Sequence, residues 1–154
     1  MENLYNFLIE AKKNTYANAR VERKPSSRVG SNDYEYSNGG MVYHDTYFGG
    51  TQFIGEEVVY DGNSDKPIWG MNYRGATLDS ELSEEAMDKA LRPALMKVGE
   101  DDILPVRGPR QFVNEDYEYT FEVEGNLEQF DGIERIRKDG TIVYELRCCG
   151  GIIV

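Results

Sequence analysis

Between Met41 and Gly75 the chain carries three aromatic and β-branched runs, Met41–Phe48, Gln52–Asp61 and Pro67–Gly75. They are separated by Gly49-Gly50 and by Gly62-Asn63-Ser64-Asp65. Runs of this length, punctuated by glycine and small polar residues, predict an antiparallel meander. Successive side chains on a strand point to opposite faces. Tyr43, Asp45 and Tyr47 therefore share one face of the first strand, with Val42, His44, Thr46 and Phe48 on the other. In the second strand Phe53, Glu57 and Val59 oppose Ile54, Glu56, Val58 and Tyr60. In the third, Trp69, Met71 and Tyr73 oppose Ile68, Asn72 and Arg74. Large apolar groups on both faces predict a sheet covered in part on both sides, or curled on itself. Gly55 and Gly70 fall mid-strand, where glycine marks a bend or the close approach of another group.

The flanking segments supply the remaining elements. Asn3–Asn14 places Leu4, Phe7, Leu8 and Ala11 on one helical face. Residues 15–32 are rich in Ser, Gly and basic residues and read as a basic loop, ordered or mobile. Asp33–Ser37 alternates as a strand and leads into the turn Asn38-Gly39-Gly40. Ser83–Val98 has the helical period through Met87, Ala90, Leu91, Ala94, Leu95 and Val98, interrupted by Pro93 and ended by Gly99. Ile103–Phe112 holds Pro105, Gly108 and Pro109 and reads as a connection. Tyr117–Glu124 alternates cleanly, Gly125–Phe130 is expected to turn, and Asp139-Gly140 joins Ile133–Lys138 to Thr141–Arg147 as a hairpin. The apolar tail Cys148–Val154 is expected to pair as a last strand. No internal repeat stands out. The expected fold is α+β. It is one domain over 1–154, with an antiparallel sheet of six or seven strands, an N-terminal helix and a central helix broken by proline.

Composition narrows the function classes. The formal net charge is −11, which repels phosphate and argues against direct binding of nucleic acid. Residues 1–30 are the exception, with six basic residues against three acidic. No apolar run has membrane-spanning length and no signal-peptide core is present, so the expected compartment is the cytoplasm. Cys148 and Cys149 are adjacent, a spacing that disfavours a disulfide framework, and they read as packed residues. One His and one Cys pair are too few for a dedicated transition-metal site. No phosphate-binding, dinucleotide-binding or nucleophile-elbow motif occurs, so neither a cofactor nor a metal is expected. His44 has only opposite-face neighbours beside it on its strand and reads as a packed or surface residue.

The residues that could form a site are aromatic and acidic. Tyr43, Tyr47, Trp69 and Tyr73 would gather with Asp45, Glu57 and Asn72 if the three strands curve, giving an apolar pocket with a few polar groups. Arg28 and Arg107 would supply counter-charge. Asp45 and Glu57 face each other if the register allows, where two acids share a proton, bind a cation or act as acid and base; the alternative is that each pairs with Arg74, Arg107 or Arg28.

Several segments together resemble an uncharacterised bacterial domain family: Ser26-Ser27-Arg28 through Tyr36, Asp45-Thr46-Tyr47-Phe48-Gly49-Gly50 with Gly55-Glu56-Glu57, Trp69 through Gly75, and Arg107-Gly108-Pro109. Members of that family occur alone or behind an XRE-type helix-turn-helix in regulator-like proteins. Arg28-Val29-Gly30 departs from the Arg-Pro-Gly expected there. The resemblance implies no established activity. The reading that follows is a non-enzymatic domain binding a small molecule or a partner protein, through Asp45, Tyr47, Glu57, Trp69, Asn72, Tyr73, Arg28 and Arg107. The alternatives are a carboxylate-dependent enzyme using Asp45 and Glu57, a homodimer or protein-interaction module built on the Ile152–Val154 tail, and an acidic decoy for a DNA-binding protein.

Overall fold

The computed structural model describes residues 2–154. Its strands are β1 (Asn32–Asn38), β2 (Met41–Gly49), β3 (Gln52–Asp61), β4 (Lys66–Thr77), β5 (Gln111–Asn114), β6 (Tyr117–Asn126), β7 (Gln129–Lys138) and β8 (Thr141–Ile152). They form one antiparallel eight-stranded sheet in the order β1-β2-β3-β4-β8-β7-β6-β5. Helix α1 (Glu2–Lys13) precedes the first four strands. A short helical segment lies between β4 and β5: a 3-10 turn at Ser80–Leu82, then α2 (Ser83–Ala86), a π turn at Met87–Leu91, and α3 (Arg92–Leu95). No helix among the described residues is long and apolar enough to cross a membrane.

This corrects the expected α+β fold of six or seven strands with a central helix. The chain is dominated by its eight strands. The missed strand is β5, only four residues long and hidden between Pro109 and Asp116. The expected turn Gly125–Phe130 is mostly strand, with only Leu127 and Glu128 between β6 and β7. The tail is no separate strand either: β8 runs on to Ile152, which pairs with Trp69, and the Ile153 N–H donates to the Ile68 carbonyl. The second helix stops at Leu95 and not at Val98, and it is irregular for a local reason. Pro93 has no N–H to give to the Lys89 carbonyl, and its ring crowds that carbonyl. The helix widens, so the Arg92 N–H reaches back to the Met87 carbonyl. The orphaned Lys89 carbonyl instead accepts a bond from Asn114 Nδ2 on β5 at 2.9 Å.

One face of the sheet carries the core. Tyr43, Val59, Trp69, Met71, Phe121, Phe130, Ile136, Tyr144 and Leu146 all project from it and are fully buried. Against it pack Leu4, Phe7, Leu8 and Ala11 of α1 and Ala90, Leu91, Ala94 and Leu95 of the second helical segment. Each of the Leu and Phe side chains contributes about 1.5–3 kcal/mol on burial, and each Ala less. The opposite face is mostly open, with Ile54 exposed and Val58 half-buried. Residues 26–31 cover part of it by wrapping the Asp33 carboxylate, which accepts from the Ser27 N–H and from the hydroxyls of Ser27, Ser31 and Thr46. The adjacent cysteines split between the faces. Cys148 is buried, as expected, whereas Cys149 is exposed.

The strand order also reveals a duplication that the linear sequence conceals. Each half of the chain is a helix followed by a four-stranded meander, and the halves meet where β4 pairs with β8. The second strand-to-strand turn of each meander begins with a glycine at φ 99°, Gly49 or Gly125. There follow Gln52-Phe53-Ile54-Gly55-Glu56-Glu57 in β3 and Gln129-Phe130-Asp131-Gly132-Ile133-Glu134 in β7, a shared Gln-Phe-x-Gly-x-Glu. The neighbours match as well. Glu57 stands opposite Asp45 and Met71, and Glu134 stands opposite Phe121 and Leu146. Phe53 lies over Gly75 and stacks on Tyr144 from the strand beyond, while Phe130 lies over Gly150 and stacks on Trp69.

Candidate functional site

A cavity of about 460 Å³ opens on the core face of the first meander. Strand alternation points Tyr43, Asp45 and Tyr47 of β2, Phe53 and Glu57 of β3, and Tyr73 of β4 into it. Tyr144 and Leu146 of β8 close one side. Met87, Leu91 and Leu95 line another side from consecutive turns of the irregular helix, and the widened turn delivers Arg92 beside them. Lys12 and Tyr16 enter from the end of α1 and the turn after it. The exposed end is formed by Arg23, Gly49, Gly50 and Glu84, and the buried end by Lys12, Tyr43, Asp45, Glu57 and Arg107.

The charges at the buried end are interlocked. Asp45 is 5% exposed and Glu57 2%. Lys12 Nζ donates to Glu57 Oε2 at 2.5 Å and lies 5.9 Å from the centre of the Tyr43 ring. Arg107 Nη1 stands 3.9 Å from Glu57 Oε1. Asp45 Oδ1 accepts from the Tyr73 hydroxyl at 2.6 Å. No cation among the described residues forms an ion pair with Asp45, and no described residue donates to its Oδ2. Burial first, and the Glu57 charge second, raise the Asp45 pKa to about 7 against the lowering effects of Tyr73, Lys12 and Arg107. Burial also pushes the Tyr43 and Tyr73 hydroxyls well above the usual phenol range, aided by the two carboxylates. Tyr47 rises to about 12, mainly by burial, with Arg23 pulling the other way. The arrangement offers a carboxyl that exchanges a proton near neutrality, set among tyrosine rings.

The equivalent place in the second meander is closed. Glu134, 0% exposed, receives Arg107 Nε at 2.9 Å and Nη2 at 2.7 Å, the Tyr119 hydroxyl at 2.6 Å and the Tyr144 hydroxyl at 3.0 Å. The Gly108 N–H donates to that Tyr119 oxygen in turn. Every lone pair that a buried carboxylate needs to satisfy is occupied. Burial would depress the Arg107 pKa, but the Glu134 charge and its hydrogen bonds outweigh this and hold it well above the usual value.

Of the residues singled out from sequence, Asp45, Tyr47, Glu57, Tyr73 and Arg107 line one cavity. Asp45 and Glu57 are direct partners in the β2–β3 register and share its face. The other three are not brought there. Trp69 is wholly buried against Phe130. Asn72 follows Met71 on its strand and so turns to the open face, where it is exposed. Arg28 reaches that same open face and pairs with Glu56. Lys12 and Glu134 were missed, and both had left a signal. Lys12 extends the apolar stripe of α1 one turn beyond Leu8, and Glu134 interrupts the buried alternation of Phe130, Gly132 and Ile136. Among the described residues, no group of three or more His, Cys, Asp or Glu side chains is arranged to hold a metal ion.

Comparison with known proteins places the chain in a family. Residues 45–153 match a family described as Domain of unknown function (DUF5680), and the chain belongs to it. The match takes in Asp45, Glu57, Tyr73, Arg107 and Glu134, while Lys12 and β1 precede it. No curated protein and no solved structure matches the chain.

Proposed function

We propose that this member of the DUF5680 family is a non-enzymatic binding domain whose ligand is a small molecule held in the cavity of the first meander. The carrying observation is the Asp45 carboxyl: it is buried, faces the cavity, and keeps one oxygen without a protein donor. That oxygen borders the cavity, so a donor on a ligand can reach it among aromatic walls, the mix of apolar lining and few polar groups that small-molecule sites have. The cavity volume suits a metabolite of one or two rings. The resemblance to bacterial domains that follow XRE-type helix-turn-helix units supports an effector role in the cytoplasm, with the acidic chain sensing the molecule and leaving nucleic acid to a partner domain.

Thermal shift of the purified chain against a broad metabolite panel tests this. A ligand at 100 times its dissociation constant stabilises by about 2.7 kcal/mol. The expected result is a hit that is lost in Tyr47→Trp, which crowds the cavity, and kept in Glu56→Gln on the open face. A hit indifferent to Tyr47→Trp would remove the cavity from the argument.

The direct pairing of Asp45 with Glu57 in the register favours a second reading, acid–base catalysis by the two carboxyls. Incubating any hit with the protein separates the two. Ligand recovered unchanged supports binding alone, and conversion that Asp45→Asn abolishes supports the enzyme.

A further inference from the structure

Three buried carboxylates, Asp45, Glu57 and Glu134, share the core face with two buried cations, Lys12 and Arg107. Arg107 is committed to Glu134 through two hydrogen bonds and Lys12 to Glu57 through one. One negative charge is left over, and it belongs to Asp45. The repeated half has no counterpart of this charge. Where β2 has Asp45 opposite Glu57, β6 has Phe121 opposite Glu134. The second meander runs the same Glu-centred network without a further carboxylate. The protein also displays the chemistry that would neutralise the extra charge: the Lys12 ammonium sits on a carboxylate and against a tyrosine ring. A second ammonium at Asp45 would find the same surroundings in Tyr47, Tyr73 and Phe53, where cation–π attraction adds to the ion pair.

We propose that the cavity selects ligands carrying a protonated amine on an aromatic or apolar body, the ammonium docking on Asp45 Oδ2. This rests on the binding reading above and names its ligand class. The ammonium replaces a proton. When Asp45 is protonated the buried end is already neutral, so a cation gains nothing there; when it is ionised, the cation restores balance. The groups facing Asp45 are its register partners Tyr34 from β1 and Glu57 from β3, Tyr73 from β4, Lys12 from α1 and Arg107 from the β5 approach, with Tyr43 and Tyr47 on its own strand; Tyr16, Arg23 and Arg92 line the same cavity. Glu57, Lys12 and Arg107 are already ion-paired and burial raises Tyr43, Tyr47 and Tyr73, so we assign the pH response between 6 and 8 to Asp45.

The test compares three isosteres, tryptamine, tryptophol and indole-3-acetate, by isothermal titration against the full chain at pH 6 and pH 8. The expected result is tryptamine binding about tenfold tighter at pH 8 than at pH 6, as a carboxyl titrating near 7 requires. Proton release at pH 6 should follow the buffer's ionisation heat, and the other two should bind at least about tenfold more weakly. Asp45→Asn should abolish the preference for the amine and the pH response while melting cooperatively, and Glu56→Gln should change neither. Tryptophol or indole-3-acetate binding as tightly as tryptamine, with Tyr47→Trp blocking it, would overturn the amine class and leave the binding reading standing. Tryptamine binding that is flat with pH or indifferent to Asp45→Asn would likewise overturn it. If the trio, choline, spermidine and the broad metabolite panel are all silent at pH 8, both readings fall.

Discussion

The two halves of the chain place a glutamate at the same point of the same helix-and-meander unit, and then treat it differently. Glu134 is held by four hydrogen bonds from Arg107, Tyr119 and Tyr144, with Leu146 and Phe121 packed around it. Glu57 holds Lys12, faces Asp45, and borders a cavity of about 460 Å³. The same scaffold position thus serves as a sealed network in one copy and an open one in the other. The difference comes from a few substitutions: Asp45 for Phe121, Tyr73 for Cys148, and a lysine on a helix for an arginine on a loop. Burial at Cys148 pushes the thiol up to about 12, so that position is inert in the closed half. The tyrosine at its counterpart reaches across to hold a carboxylate.

The comparison is sharpest if the two cations are removed in turn. Arg107→Met leaves Glu134 charged and buried with no cation, which should cost about 3–5 kcal/mol in urea unfolding at pH 7. Lys12→Met should cost less than half of that, because Glu57 still has Arg107 nearby and borders the cavity. Equal losses would show that the first half is as closed as the second.

The glycines under the two phenylalanines give a second contrast. A methyl group at Gly150 collides with the Gly70 carbonyl oxygen, which is backbone, whereas at Gly75 its three nearest neighbours are all atoms of the Phe53 ring. Gly150→Ala should therefore lose up to about 3 kcal/mol, and Gly75→Ala distinctly less, with the ring swinging toward the cavity. A Gly75→Ala loss as large as that at Gly150 would mean that Phe53 has nowhere to go.

Two buried aspartates on opposite faces give opposite pH responses. Asp45 is raised to about 7, so its contribution to stability is complete below the ordinary carboxylate range and is lost as pH rises through 7. Burial alone would raise Asp33, but the bonds from Ser31, Thr46 and Ser27 outweigh it and hold it well below that range. Its contribution is therefore present at neutrality and lost as the solution is acidified. Melting curves should show Asp45→Asn removing about 2 kcal/mol of the decline between pH 5 and 8. Asp33→Asn should be destabilised at pH 7 and converge on the parent in acid. Smallest of all is Glu56→Gln, which breaks the exposed Arg28–Glu56 pair and should change stability by less than about 1 kcal/mol.

What the sequence made legible follows from what short-range chemistry controls. Glycine turns and period-two alternation located β2, β3, β4 and β6 closely, and they put Asp45, Tyr47, Glu57 and Tyr73 on the faces that the fold uses. A four-residue strand such as β5 leaves too brief an alternation to register, and its existence depends on the β6 edge it joins. Trp69 is a different case. Its face was read correctly, but the stacking of Phe130 from two strands away decides that it is core, and no local pattern carries that information. The π turn was half visible: Pro93 announced a disturbance, whereas the Asn114 side chain that accommodates it comes from a separate element. The duplication escaped because only Gln-Phe-x-Gly-x-Glu survives in letters, and the rest is conserved as register.

That duplication bears on symmetry. Were the two units separate chains meeting along the same seam, each substitution would be made twice, and an unpaired buried charge would be doubled with it. Joined in one polypeptide, the units are released from that obligation. One copy can keep the sealed arrangement and anchor the fold, while the other carries a single uncompensated aspartate that a symmetric pair would have had to bear at both sites.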